Sequence, residues 1–356
     1  MASVFGNRLK ISLFGQSHSE AIGVVIDGLP AGFAPDMEKI AAFMARRSPI
    51  GKEGVTSRRE PDEVEVVSGL FDGKTCGAPL CAMIRNVDAR PQDYESMRGI
   101  PRPSHADFPA MVKYGGNGDY RGGGHFSGRL TAPLCFAGAV AVQMLEERGV
   151  TVGARVKSVG NAYDSYVDPA EVTADMLRGI AAKDFPTVGS PDAIKKEISD
   201  AEAAGDSVGG QVECFITGLP VGVGEPIFDG LESRISAAVF AIPAVKGIEF
   251  GDGFALTGLR ASEANDEYYI AEDGKIRTKT NSNGGILGGL STGMPVAFSA
   301  AFKPTPSISR PQTTVDMAKM TDSVISIPGR HDPCIVVRAV PCVESAAALA
   351  VLDLML

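Results

Sequence analysis

Two stretches, residues 131–145 and 343–356, are apolar on nearly every face of a helix. A surface helix keeps one polar side, whereas a helix apolar all round has to be covered all round. Both stretches are shorter than the roughly 20 residues that a membrane span needs. They therefore read as interior helices, and other elements must enclose them. Strand-like segments at 9–15, 22–27, 62–68, 79–85, 154–159, 211–217, 245–250, 294–301 and 334–340 provide that cover. The fold class expected is α+β, with sheets over buried helices, and 356 residues suit one large domain or two smaller ones.

A second pattern bears on architecture. The strand at 22–27 runs into Gly28-Leu29-Pro30-Ala31-Gly32 and then a helix at 36–47. The strand at 211–217 runs into Gly218-Leu219-Pro220-Val221-Gly222 and a helix at 231–240, an offset of 190 positions. This reads as an internal duplication with pseudo-two-fold symmetry, in repeats of about 1–150 and 205–356; chance similarity is the competing reading. Near residue 190, Ser190, Pro191 and Asp192 open a helix with a charged face.

The net charge of −9 argues against a broad nucleic-acid surface, which needs a basic face. Arginines nevertheless cluster at 46, 47, 58, 59, 102, 121 and 129, so a basic pocket for a small anion is expected. The six cysteines (76, 81, 135, 214, 334, 342) have no CxxC spacing and read as buried free thiols of a reducing cytoplasm. No signal pattern opens the chain, and neither a membrane partner nor a metal site is expected.

The chemistry centres on histidine, the side chain whose charge responds near neutral pH. The chain has only four, and three lie in charged or polar runs: Gly15-Gln16-Ser17-His18, Arg102-Pro103-Ser104-His105-Ala106-Asp107 and Arg330-His331-Asp332-Pro333-Cys334. His18 reads as an acid beside a leaving oxyanion, or as a hydrogen-bonded structural histidine. His105 sits in a Pro-broken loop, where catalytic groups often lie. Asp332 and Arg330 would share a face of a strand, as a site pair or a structural one. In Tyr120-Arg121-Gly122-Gly123-Gly124-His125-Phe126-Ser127-Gly128-Arg129, three glycines form either an anion nest or a plain Gly-rich turn. Asn281-Ser282-Asn283-Gly284-Gly285 and Lys303-Pro304-Thr305-Pro306-Ser307 are further candidate loops.

Taken in order, these runs resemble the chorismate synthase family nearly end to end. Further matching motifs are Ile26-Asp27-Gly28-Leu29-Pro30, Arg58-Arg59-Glu60-Pro61-Asp62, Lys113-Tyr114-Gly115, Ala244-Val245-Lys246-Gly247 and Gly284-Gly285-Ile286-Leu287-Gly288-Gly289. The resemblance implies a β-α-β sandwich, with interior helices between antiparallel sheets, in a homotetramer. It implies a lyase that converts 5-enolpyruvylshikimate 3-phosphate to chorismate and phosphate by anti-1,4-elimination, the last step of the shikimate pathway. Reduced FMN is required without net redox change.

Carried over by position, the resemblance implies that His18 donates a proton to the departing phosphate. His105 protonates or holds the reduced flavin, and Asp332 lies beside it to aid removal of the substrate proton. Arg47, Arg102, Arg129, Arg330 and Arg338 are the implied substrate-facing arginines. The implied flavin contacts are Ser127, Ala244, Gly288, Lys303, Pro304, Thr305, Pro306, Ser307 and Arg330. Where the family has Arg-Ser-Ser-Ala-Arg-Glu-Thr, this chain has His125-Phe126-Ser127-Gly128-Arg129-Leu130-Thr131. The expectation is that His125 replaces the missing donor and Phe126 packs on the flavin; the alternative is that the loop sits differently. Glu53 replaces a frequent arginine, which argues against NADP(H) use and for a separate flavin reductase. The alternatives are a flavin enzyme with net hydride transfer and a non-catalytic binder of shikimate-like acids.

Overall fold

The computed structural model describes residues 3–49, 62–87, 98–327 and 332–356. The N-terminal half runs β1 (Val4–Phe5), β2 (Lys10–Gly15), β3 (Ala21–Asp27), α1 (Met37–Arg47), β4 (Val64–Ser68), the small hairpin β5 (Leu70–Phe71) and β6 (Lys74–Thr75), β7 (Leu80–Arg85), α2 (Asp107–Lys113) and α3 (Thr131–Glu146). The C-terminal half opens with β8 (Thr151–Val159), β9 (Ala162–Tyr163), α4 (Ala174–Ala181), α5 (Asp192–Ala203), β10 (Gly210–Thr217), α6 (Leu231–Val239) and β11 (Val245–Phe250). It continues with α7 (Ala261–Ala264), β12 (Tyr268–Ile270), β13 (Ile276–Thr278), β14 (Ile286–Leu287), β15 (Leu290–Ser291), β16 (Val296–Phe302), β17 (Gln312–Asp316), β18 (Thr321–Ile325) and α8 (Val336–Met355).

Two five-stranded sheets, ordered β1-β2-β3-β7-β4 and β11-β16-β10-β8-β9, are antiparallel throughout. The first half places β2-β3-β7-β4 side by side, and the second places β8-β10-β16-β11 in the same chain sequence. In each, a helix (α1 or α6) follows the second strand and a long buried helix (α3 or α8) follows the fourth. Gly28 and Gly218 end β3 and β10 at φ of 91° and 78°, and a Cβ on either would lie 2.1 Å from a backbone oxygen, that of Arg8 or Gly149. Only glycine fits such a position, which explains why the Gly-Leu-Pro-x-Gly run occurs twice. The strand β8, matching β2 in this order, begins at Thr151, well ahead of the boundary expected near 205.

The helices lie inside. Of the sixteen residues of α3 thirteen are buried, and nearly all of α8 up to Asp353 is buried. One apolar cluster joins both helices to Ile22, Val24, Ile26 and Ile84 of one sheet and to Val212, Ile216, Val296 and Phe298 of the other. Where α3 crosses α8, Gly138 faces Ser345 so closely that a Cβ on Gly138 would sit 2.2 Å from the serine Cβ. Within Arg121–Glu146, the stretch that ends in α3, one window of 18 residues is apolar enough to cross a membrane by composition, but 83% of that window is inside the protein.

Two buried acids on α8 tie layers together instead of opening a polar face. Glu344 accepts from Arg46 of α1 at 2.6 and 2.8 Å and from the Ala154 N–H of β8 at 2.9 Å. Asp353 accepts from the N–H groups of Asn7, Arg8 and Leu9 and from Arg234 of α6. Buried carboxylates require this kind of pairing.

Two expectations are corrected. Residues 334–340 are not a strand: α8 begins at Val336. The β-branched run Ile335, Val336, Val337 and Val340 mimics a strand, and Pro341 reads as a breaker, yet the helix absorbs the proline as it is packed on several sides. Tertiary burial outweighs local propensity here. All six cysteines are free thiols, but Cys76 is exposed and Cys81 half-buried, so only four of the six are buried.

Candidate active site

A cavity of about 870 Å³ opens where α3, α6 and α8 meet the 102–106, 122–130 and 303–307 segments. Among the described residues its wall carries six cations, Arg47, Arg102, Arg129, Arg338, Lys246 and Lys303, and one carboxylate, Asp332. Its apolar lining includes Leu134, Ala237, Ala241, Ile242 and Val245.

Aspartates fix the guanidinium groups. Arg47 closes α1, turns inward, and is 3% exposed. Its Nε donates to Thr131 Oγ1 at 2.9 Å and its Nη1 to Asp62 at 2.5 Å. Arg129 Nη1 pairs with the other oxygen of Asp62, and its Nε donates to Asn86 at 3.1 Å. Burial alone would raise the Asp62 pKa, but the two arginines outweigh it and hold the carboxyl below its usual range. Arg338 donates from Nη1 to Asp332 at 2.5 Å and from Nε to the Arg47 carbonyl at 2.9 Å. Thr305 Oγ1 donates to the Asp332 carbonyl at 3.0 Å, which sets the loop before α8. Asp332 is therefore in a loop rather than on a strand, and its described partner is Arg338, one of the substrate-facing arginines the resemblance implied. Arg330, His331, Glu53, Arg58 and Arg59 lie outside the described residues.

Asp107 organises a second cluster. It accepts from Arg102 Nε at 2.7 Å and Nη2 at 2.9 Å, and from His105 Nδ1 at 2.6 Å. Burial opposes its ionisation, but these bonds prevail and keep it a carboxylate well below the usual range. With Nδ1–H given to Asp107, His105 presents Nε2 towards Gly123. Arg102 Nη1 also donates to Ser307 at 3.3 Å, joining this cluster to the 303–307 loop.

The three glycines run between the two histidines. Gly122, Gly123 and Gly124 have φ of 58°, 85° and 55°. A Cβ on Gly122 would lie 2.5 Å from His18 Cε1 and from Ser17 Oγ, and one on Gly123 would lie 2.9 Å from His105 Cε1. Their freedom and lack of side chain let the chain pass through this gap. His18 is not itself part of the cavity wall; it packs against Gly122, which is, with Ser17 Oγ 3.1 Å from its Nδ1.

Most of the expected cofactor residues share this wall: His125, Phe126, Ser127, Ala244, Lys303, Thr305, Pro306 and Ser307. Ala244 holds the left-handed φ of 73°, and its carbonyl accepts from the Lys303 N–H at 3.0 Å. Burial, and then the nearby Lys246, push the Lys303 ammonium down, a combination that an anionic ligand relieves. His125 is engaged by its own chain: Nδ1 donates to the Gly15 carbonyl at 2.7 Å, and Nε2 accepts from Ser3 Oγ at 2.9 Å. Phe126 is 43% exposed, with its ring centroid 6.4 Å from that of Tyr114. Pro304 is exposed and not part of the cavity wall; its carbonyl accepts from Lys303 Nζ at 3.3 Å. Gly288 is exposed at the β14–β15 turn and is not part of the cavity wall. The loop at 281–285 is structural, because Asp266 accepts from the N–H groups of Ser282 and Asn283.

Two contributors had no role assigned from sequence: Asp62 and Lys246. Asp62 and Lys246 stand inside matched motifs, but a charge sign does not say which partner it meets across the fold.

Comparison with known proteins completes the picture. The sequence matches the family profile described as chorismate synthase over residues 9–356. A protein named chorismate synthase from Methanocella arvoryzae is 47% identical over 99% of this chain and 94% of its own. Those of Thermococcus kodakarensis and Dehalococcoides mccartyi are 45% and 44% identical, over 98% and 100% of this chain and 96% and 97% of theirs. A solved structure described as a crystal structure of chorismate synthase superposes with a TM-score of 0.77 at 24% identity, covering 98% of this chain and 92% of that one, and shares the fold.

Proposed function

The chain belongs to the chorismate synthase family, a family of lyases at the final step of the shikimate pathway, and from that premise we propose that its cavity converts 5-enolpyruvylshikimate 3-phosphate to chorismate and phosphate by anti-1,4-elimination. The observation that carries the proposal is the wall itself: among the described residues, six cations and one carboxylate around about 870 Å³, with His105 in the wall and His18 packed against Gly122. A substrate with one phosphate and two carboxylates needs such charge, and guanidinium forks match its oxygens.

The volume falls in the range of pockets for small ligands, roughly 300–1,000 Å³. The apolar lining, the strained Ala244 and the paired lysines at 246 and 303 fit a flat ring with an anionic tail, as FMN has. A reduced flavin bound there would supply an electron-rich ring next to the substrate. Ser127, Ala244, Lys303, Thr305, Pro306 and Ser307 would hold it. His125 is spent on Gly15 and Ser3, so it would shape this wall by bracing the N-terminal strands.

Arg47, Arg102, Arg129 and Arg338 hold the substrate anions and stabilise charge as the carbon–oxygen bond breaks. Their aspartates keep them in place before substrate arrives. His18 donates a proton to the departing phosphate oxygen, with Ser17 fixing its ring. Asp107 orients His105 so that Nε2 can hold a proton at the cavity edge. Asp332, braced by Arg338, keeps a carboxylate on the wall, where it would aid removal of the substrate proton beside the flavin. Arg330 and Gly288 stay part of the proposal on resemblance alone.

We take the enzyme to be a cytoplasmic homotetramer supplied with reduced flavin by a separate reductase. Large exposed apolar side chains, Phe228 at 88%, Phe254 at 81%, Ile227 at 79% and Ile270 at 77%, support self-association. Release of inorganic phosphate from the proposed substrate, dependent on FMN reduced beforehand, tests the reaction. Equal release with oxidised FMN, or none with either, would contradict it.

A further inference from the structure

Cys135 of α3 and Cys342 of α8 face each other at the edge of the cavity, with sulfurs 3.8 Å apart. Each lies three residues ahead of the Gly138–Ser345 crossing, so the two backbones are already drawn together at this level. Cys135 is wholly buried, whereas Cys342 forms part of the cavity wall. A small solute in the cavity therefore meets Cys342 first and reaches Cys135 only through it.

We propose that this pair is an oxidation site, at which hydrogen peroxide entering the cavity converts the two thiols to a Cys135–Cys342 disulfide. The Cys342 thiolate attacks one peroxide oxygen, an S–O bond forms as the O–O bond breaks, and hydroxide leaves and takes up a proton. The Cys135 sulfur then attacks the Cys342 sulfur, the S–S bond forms, and the S–O bond breaks with loss of a second water. Two thiols and one peroxide give one disulfide and two waters, and the sulfurs supply both electrons.

The surroundings suit those roles. The Cys135 S–H points at the Cys342 sulfur, which, ahead of burial, is the main influence on it; that hydrogen bond, with Arg47 and Arg338 nearby, favours the thiolate on Cys342. Burial holds Cys135 as a thiol until its partner is activated. The thiolate is the reactive form of cysteine, and a cationic setting favours it. To form the bond the sulfurs close from 3.8 Å to about 2.05 Å. Cys342 Sγ also lies 3.4 Å from the Arg338 carbonyl, so its withdrawal alters the turn carrying a substrate-facing arginine. A reduced flavin reacting with oxygen would generate peroxide in this same space; only that source of the oxidant rests on the proposed function.

The test is chemical and independent of turnover. Anaerobically purified full-length protein is treated with hydrogen peroxide, blocked with a maleimide in denaturant, and digested for mass spectrometry. The expected result is a Cys135–Cys342 linked peptide, loss of two of the six free thiols, and reversal by dithiothreitol. With Cys135→Ser, dimedone should instead trap a sulfenic acid on Cys342. Peroxide that leaves both residues fully alkylated while exposed Cys76 oxidises would overturn the proposal, as would a disulfide between other cysteines.

Discussion

Behind the guanidinium groups that face the cavity stands an aspartate in every described case: Asp62 for Arg47 and Arg129, Asp107 for Arg102, Asp332 for Arg338. The arrangement fixes charge before a ligand arrives, so little side-chain entropy is left to lose on binding. It also sets a pH limit. Asp62 and Asp107 are both held below the usual carboxylate range, so their contribution to stability is complete above their unfolded pKa of about 4. It is lost as pH falls below that value towards the folded ones. The melting temperature should therefore be insensitive to these two groups from pH 7 to about 5 and should drop steeply below about 4; Asp62→Asn should flatten that drop, and an unchanged profile would contradict the assignment. The proton donor is a separate matter. His18→Ala should lower turnover by about 10²–10⁴ with flavin affinity nearly unchanged, measured by steady-state rates and by flavin fluorescence quenching. At this scale the clustering of arginines was legible in sequence, whereas the roles proposed for His18, His105 and Asp332 come from the resemblance and not from their spacing. The His125 side chain was not legible, since its partners Ser3 and Gly15 lie more than a hundred residues away.

Helices α3 and α8 do for the elements what the aspartates do for the arginines. Both are apolar all round, so the sequence showed that they were interior. It did not show where α8 begins, because β-branched residues and Pro341 look the same in a strand or in a crowded helix. Their crossing depends on Gly138. A methyl there would lie 2.2 Å from the Ser345 side chain, so Gly138→Ala has to push the helices apart. The expected cost is about 1–3 kcal/mol, read as a lower urea midpoint at constant slope. No change in midpoint would mean that the helices can slide apart freely. From the shared order of β2-β3-β7-β4 and β8-β10-β16-β11, with Gly28 and Gly218 in equivalent tight corners, we propose that the halves arose by duplication.

In the whole molecule, two sheets enclose the helix layers, and the cavity forms where helix ends meet three loops from both halves. Such a site draws its cations from residues 47 to 338, which explains why no single segment of sequence declared it. The exposed apolar side chains around 227–228 and 254–270 call for partners, and light scattering should give a native mass near four chains of 37.1 kDa; a monomeric mass would contradict the tetramer. The central claim is that this cavity eliminates phosphate with a reduced flavin that is not consumed. The most direct test is anaerobic: supply 5-enolpyruvylshikimate 3-phosphate with FMN reduced beforehand, in parallel with oxidised FMN plus NADPH, and count chorismate formed against reductant used. The account predicts many chorismates per flavin with no net reductant consumed in the first case, and none in the second. One reductant spent per product, or no chorismate at all, would contradict it.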